Sequence, residues 1–248
     1  MNWEAPVRRY VKALPLLCAL FAACSSPSPV DEIVASNIAA RGGEERIRAL
    51  HSIRETGTAT ASGGRVARVV YEIKRPGLFR LEFSSQGTTS VFAHDGETGW
   101  HVAPLEGLFE PQAITPETDS AAGIDERDIE GPLVDWREKG HVVELVGRET
   151  LAGGEAFKLK VTLENGSIRH DFVDVASRQI VRSDLTRMMR GRTVLLVDTF
   201  SDFREVDGLV FPYLIETHVK DRPEVIRIVV EEIELDPDLD DARFRLPG

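Results

Sequence analysis

The sequence predicts a mainly β domain of the α+β class, with one large antiparallel sheet of about ten or eleven strands that curls under helices on its concave face. Three observations predict it. Apolar and charged residues alternate with period two over most of the chain after Ile53. Turn pairs punctuate the alternating runs: Pro76-Gly77, Asp95-Gly96, Asn165-Gly166 and Asp207-Gly208. Helical patterning is confined to the start of the body and a short middle stretch. A strongly twisted sheet of this size curls or closes rather than staying flat.

The chain opens with Arg8, Arg9 and Lys12, then an apolar run from Ala13 to Ala23, then Cys24 and the small polar stretch Ser25 to Pro29. This is the pattern of a secretory signal over residues 1–23. The run is well short of the roughly 20 residues needed to span a bilayer as a helix. Ala22-Ala23-Cys24 resembles a bacterial lipobox, with Phe21 where an aliphatic residue is usual. That resemblance implies that Cys24 is lipidated and becomes the mature N-terminus, followed by a linker to residue 30. The alternative is an ordinary signal cut near Ala23, with Cys24 incidental.

Removing the signal takes the net charge from -11 to -13, since it carries Arg8, Arg9, Lys12 and Glu4. So acidic a body is poorly suited to nucleic acid or to anionic lipid surfaces, both of which select clustered Lys and Arg. Attachment to a membrane would instead come from acyl chains on Cys24. Cys18 lies in the signal, so the body has no pair of cysteines for a disulfide and no zinc-type cluster.

Asp31 reads as a helix cap, with Ile33, Val34 and Ile38 on one face of the helix and Gly42-Gly43 ending it. Glu44 to Leu50 reads as a further short turn with Ile47 and Leu50 inward. Strands follow around Ala67, Val69, Tyr71 and Ile73, around Phe79, Leu81 and Phe83, and around Phe157, Leu159, Val161 and Leu163. Others read at residues 141–146, 168–175, 180–186, 193–203, 213–220 and 225–235, in meander order. Thr115-Pro116 reads as a helix start. The acidic stretch from Glu117 to Glu130 that follows reads as solvated, either a mobile lid or a fixed surface helix.

The ordered segments resemble the LolA/LolB-like outer-membrane lipoprotein-sorting superfamily. They are Asp31-Glu32-Ile33-Val34 with Ala39 to Gly43; Ile73-Lys74-Arg75-Pro76; Asp95 to Trp100; and Gly131-Pro132-Leu133-Val134-Asp135-Trp136. Later come Phe203, Glu205 to Gly208, Phe211-Pro212, and the closing stretch Asp236 to Phe244. The resemblance spans residues 31–247 and implies a half-barrel domain over 31–248. Its concave apolar face, closed by helices, would hold acyl chains of a lipoprotein or phospholipid. It also implies a cell-envelope location. With a lipid anchor, and with Ser25 after Cys24, the expected place is the periplasmic face of the outer membrane. An envelope protein is the other partner class that the superfamily permits, with the same scaffold acting as a lipid sensor or a protein-binding lipoprotein.

Candidate cavity residues are Tyr71, Phe79, Leu81, Phe83, Trp100, Phe157, Leu159 and Val161, since acyl pockets are mostly apolar; an ordinary filled core accounts for the same pattern. Trp100 and Trp136 also read as packing anchors. Arg187 to Arg192 is a candidate head-group contact or a solvated hairpin tip. Asp236, Asp238, Asp240 and Asp241 lack the Gly and Glu that a calcium loop requires, and read as a capped terminal turn. His51, His94, His101, His141, His170 and His218 show no zinc spacing. No Gly-x-Ser-x-Gly elbow and no Cys–His pair stands in the chain. The sequence therefore predicts a binding protein without turnover, metal or cofactor.

Overall fold

The computed structural model describes residues 1, 27–114, 127–189, 192–220 and 222–247. Helix α1 (Pro29–Ala40) opens with a capping box. Ser28 Oγ accepts from the Asp31 backbone N at 3.2 Å, and Asp31 Oδ2 accepts from the Ser28 backbone N at 3.2 Å. Asp31 is thus the third helical residue rather than the expected cap. A Ser three residues before an Asp satisfies two orphan amides at once, and Pro29 fits the first turn, where no amide is needed. The helix therefore begins two residues earlier than the sequence reading placed the body.

Ile33, Val34 and Asn37 form the buried face of α1. At its end Gly42 adopts φ +116° against the turn at Asp207-Gly208, where a Cβ would lie 2.2 Å from Gly208 O. Helix α2 (Glu44–Ala49) follows directly and buries Ile47.

Among the described residues thirteen strands form one antiparallel sheet, two or three more than the alternation alone predicted. The first six are β1 (Ser52–Ala61), β2 (Val66–Lys74), β3 (Leu78–Ser85), β4 (Thr88–Asp95), β5 (Gly99–Ala103) and β6 (Leu108–Ile114). The other seven are β7 (Val142–Leu151), β8 (Gly154–Thr162), β9 (Ile168–Asp174), β10 (Ile180–Met189), β11 (Arg192–Val206), β12 (Leu209–Val219) and β13 (Val225–Leu235). The order is β6-β5-β4-β3-β2-β1-β13-β12-β11-β10-β9-β8-β7. Two meanders therefore meet at β1 and β13, from Ile53↔Leu235 to Ala61↔Ile226. The sheet is curled and open, with β6 and β7 as its free edges. A register shift at Thr56/Gly57 marks a bulge. A Cβ on Gly57 would lie 2.2 Å from Val229 O, so the close approach of the two central strands requires glycine there.

Two buried clusters lie between the helices and the concave face. One joins Ile33 and Val34 of α1 to Val143, Phe157, Leu159, Val161 and Val173 on β7 to β9. The other joins Ile47 and Leu50 to Ile53, Ile73, Tyr213, Val230 and Ile233 near the centre of the sheet. Leu133 belongs to the first cluster and the adjacent Val134 to the second, so the segment before β7 pins both. Most of the acidic middle stretch, with the expected helix start at Thr115-Pro116, lies outside the described residues; 127–130 are turns.

The convex face is covered near β1 to β5 by the C-terminal segment. Asp236 Oδ1 accepts from the amides of His51 and Ser52. Lys74 Nζ reaches Leu239 O and Asp241 Oδ1, both at 2.6 Å. Asp240 caps the final 3-10 turn through the Ala242 amide, which is the terminal turn expected from the aspartate run. Leu239 and Phe244 pack on Leu78.

Candidate functional site

Alternation along each strand and the cross-strand register define one continuous concave face. From β1 outward it carries Ile53, Glu55 and Gly57, facing Ile73, Tyr71 and Val69 on β2. Those face Phe79, Leu81 and Phe83 on β3, which face His94, Phe92 and Ser90 on β4. On the other side Glu55 faces Ile233, and Ile228 of β13 faces Ile215 of β12.

Packing divides this face in two. Where α1 and α2 cover it, Leu159 and Val161 are 0% exposed and Ile73 is 3% exposed. Beyond that cover Leu81, Phe83 and Phe92 are only half-buried, as are Tyr71, Ile215 and Ile228, which pack against the margin of the second cluster. Among the described residues, no buried cluster includes Leu81, Phe83 or Phe92. Apolar groups in this state form an incompletely covered strip beside a filled core.

The eight residues expected to line a cavity fall into three places. Tyr71, Leu81 and Phe83 stand on the half-buried part of the face. Phe79, 3% exposed, packs edge-on against Tyr71 at 5.5 Å. Phe157, Leu159 and Val161 lie under α1 in the packed cluster. Trp100 differs from the expectation. It pairs with Ala93 and so points to the convex face, where it is 2% exposed and its Nε1 donates to Phe244 O at 2.7 Å. Its strand was not read from the sequence, so its facing could not be assigned.

Sequence reasoning missed Phe92, Ile215, Ile228 and Glu55 on the groove side. The alternation Ile226, Ile228, Val230 was visible, but the pairing of β13 with β1 that sets Ile228 opposite Ala59 and Val230 opposite Gly57 was not. Glu55 stands between Tyr71 and Ile233, at the border of the filled and half-buried parts. Among the described residues no hydrogen bond or ion pair reaches its carboxyl. Burial pushes this carboxyl up to about 7.

Polar groups gather at the helix end of the face. Arg75 donates to Leu50 O at 2.6 Å and to Glu130 Oε1 at 2.8 Å. Lys139 Nζ reaches Asp128 Oδ2 at 2.7 Å and Glu130 Oε2 at 3.0 Å. Arg41 Nη1 donates to Glu130 O at 2.8 Å. Burial raises Glu130, and the bonds from Lys139 and Arg75 outweigh it, holding the carboxyl below the usual range. A cleft of about 710 Å³ opens here, lined by Arg75, Arg127, Glu130, Lys139, His141 and Glu164 among others. Burial first, then Arg127 3.2 Å away, hold His94 below the ordinary histidine value. Arg75 and Lys139 in this cleft already serve carboxylates or carbonyls, so its chemistry is that of a structural latch.

Asp171 is 0% exposed on the same face as Leu159, and its Oδ1 accepts from Ser183 at 2.6 Å and from Arg169 at 2.8 Å. His170, on the next position, points to the other face, as the alternation predicted. Among the described residues no three His, Cys, Asp or Glu side chains gather to hold a metal. The stretch from Arg187 to Arg192 falls at the β10–β11 hairpin, with its tip and these side chains outside the described residues.

No family model matches the chain, and no curated protein matches it by sequence. Its fold does match solved structures. A domain assigned to outer-membrane lipoprotein sorting from Vibrio parahaemolyticus aligns with a TM-score of 0.58 at 14% identity, over 86% of this chain and 94% of that one. A LolA superfamily protein from Nitrosomonas europaea aligns at 0.56 and 14%, over 87% and 97%. A DUF1329 family protein from Desulfovibrio piger aligns at 0.52 and 16%, over 88% and 98%. The chain therefore has the LolA-like fold that the sequence resemblance implied.

Proposed function

We propose that this LolA-like chain is a lipid-anchored protein of the cell envelope that shields acyl chains of a lipoprotein or phospholipid in its concave groove. The observation that carries this reading is the strip of Tyr71, Leu81, Phe83, Phe92, Ile215 and Ile228, left half-buried beside a core that α1 and α2 fill completely. Binding would rest on apolar area removed from water, at about 25 cal/mol per Å². Cargo would pass onward by difference in affinity, without a chemical step. Cys24, carrying the anchor, would hold the body at the periplasmic face of the outer membrane. The short stretch before α1 would keep the groove close to that surface. A role in lipoprotein sorting or transfer is supported by the neighbours' fold and by the anchor together.

A protein partner is the second reading. It is favoured by β7, an edge strand among the described residues, where Val142 and Val146 are 53% and 55% exposed.

The test is bound lipid. A Cys24→Ala form is exported to a bacterial periplasm, purified without detergent, and examined by native and lipid-extract mass spectrometry. A stoichiometric acyl ligand is the expected result. A protein that stays empty after incubation with phospholipid and triacylated peptide would overturn the reading in favour of the protein partner.

A further inference from the structure

The groove is not uniformly apolar: Glu55 sets a carboxyl on its central strand. Its neighbours across the sheet are Tyr71 on β2 and Ile233 on β13. Along its own strand Ile53 and Gly57 share its face. The bulge at Thr56/Gly57 draws β13 against β1 just beyond it, so the carboxyl stands at a fixed point where the packed core gives way to the groove. The segments laid over this part of the face bring Ile47, Leu50, Ile129 and Val134, all apolar. The titratable side chain opposite Glu55 among the described residues is Tyr71. Among the described residues nothing donates to the carboxyl or neutralises it.

An unpaired carboxyl in apolar surroundings favours its neutral acid, which carries an O–H donor that a carboxylate lacks. Acyl ligands carry one strong acceptor at a fixed place, the carbonyl oxygen of the ester or amide that joins chain to head. The geometry points to Glu55 as the specificity-determining residue of the groove: its neutral carboxyl donates a hydrogen bond to the linkage carbonyl of an acyl chain. This rests on the acyl-binding reading above and sharpens it, since a purely apolar groove would not distinguish an ester from an ether. It also makes the recognition reversible by pH. The carboxyl, pushed up to about 7 by burial, loses its donor as the pH rises through that value. The competent fraction then falls to roughly one-tenth one pH unit higher.

The probe pair is 1-palmitoyl lysophosphatidylcholine and its ether-linked hexadecyl counterpart, titrated by calorimetry into the Cys24→Ala protein below and above pH ~7. The wild-type groove should prefer the ester by about two- to tenfold at low pH, the range of one net hydrogen bond. That preference should fall to parity about one pH unit above the transition. Glu55→Gln, whose amide donates and does not ionise, should keep it at both values. Glu55→Leu should bind both lipids and prefer neither. A wild-type protein that binds both lipids without preference, or whose preference ignores pH, overturns the inference while leaving the groove intact. So does a Glu55→Leu variant that keeps the preference and an unchanged circular dichroism spectrum. Wild-type protein that binds neither lipid at any pH overturns the acyl-binding reading, and this inference with it.

Discussion

Arg75 Nη2 donates to Glu130 Oε1 across 2.8 Å, and the pair ties the sheet to the chain laid over it. The same guanidinium caps the end of α2 through Leu50 O, and Glu130 also receives Lys139. Arg75→Ala should therefore cost about 3 kcal/mol, because it takes one of two cations from a mostly buried carboxylate and uncovers a helix end together. Arg75→Lys should recover little, since one ammonium cannot serve several acceptors in a fork. Urea unfolding checks both. Glu130 lies below the ordinary carboxylate range. Its contribution should be complete above that range and be lost as the pH falls through the folded value.

Glu55 titrates in the opposite sense. Its folded value is raised to about 7 from 4.5, so the folded state holds a proton that the unfolded chain releases between those values. Stability should decline as pH rises through this window, and the cost should be complete above about 7, at no more than about 3 kcal/mol. Glu55→Gln should melt with the wild type near pH 4.5 and above it at about pH 8. Thermal melts at the two pH values decide the matter, and equal melting at both would remove the burial argument.

Several of the residues that carried the resemblance belong to the latch rather than the groove. Arg41-Gly42, Arg75, Gly131 and Asp207-Gly208 are far apart in sequence. In the fold they meet: Val210 N donates to Arg41 O at 3.0 Å, and Gly42 packs on Gly208. Such segments are legible because glycine and paired charges leave marks that tolerate little change. The alternating strands were legible for the same local reason. Strands β4 to β6 were not. Thr88 to Asp95 alternates weakly, Gly99 to Ala103 is only five residues long, and Pro111 interrupts β6. Pairing of β1 with β13 joins residues about 180 positions apart, and local pattern carries no signal for such a contact. That is why the facing of Trp100 was not assigned and Glu55 drew no notice.

The C-terminal segment is a seal on the convex face. Phe244 is 0% exposed against Leu78 and accepts from Trp100 through its carbonyl. Arg243 reaches Glu72 at 3.0 Å, and Glu72, 1% exposed, is shared with Arg54 at 2.9 Å. Phe244→Ala should cost about 3 to 5 kcal/mol by the cavity it leaves. Trp100 fluorescence should shift to the red in the same variant, because water then reaches the indole. An unshifted spectrum would mean that the segment does not shield Trp100.

The sharpest distinction between groove and core lies in two substitutions of one kind. Leu81 is half-buried on the open part of the concave face, whereas Leu159, 0% exposed, faces the same way under α1. Leu159→Asp buries an unpaired charge among Val34, Leu133 and Val143, and the protein should fail to fold at any temperature near physiological. Leu81→Asp places its charge where water already reaches, so the melting temperature should change little. The charge then stands among Tyr71, Phe83 and Phe92, where an acyl chain would have to lie. Binding of a lysophospholipid should weaken by more than tenfold, the effect of adding an unpaired polar group to an apolar contact. If Leu81→Asp folds and binds as the wild type does, the acyl chain does not lie along β3. If it unfolds as Leu159→Asp does, the strip beside the helices is core and the groove is absent.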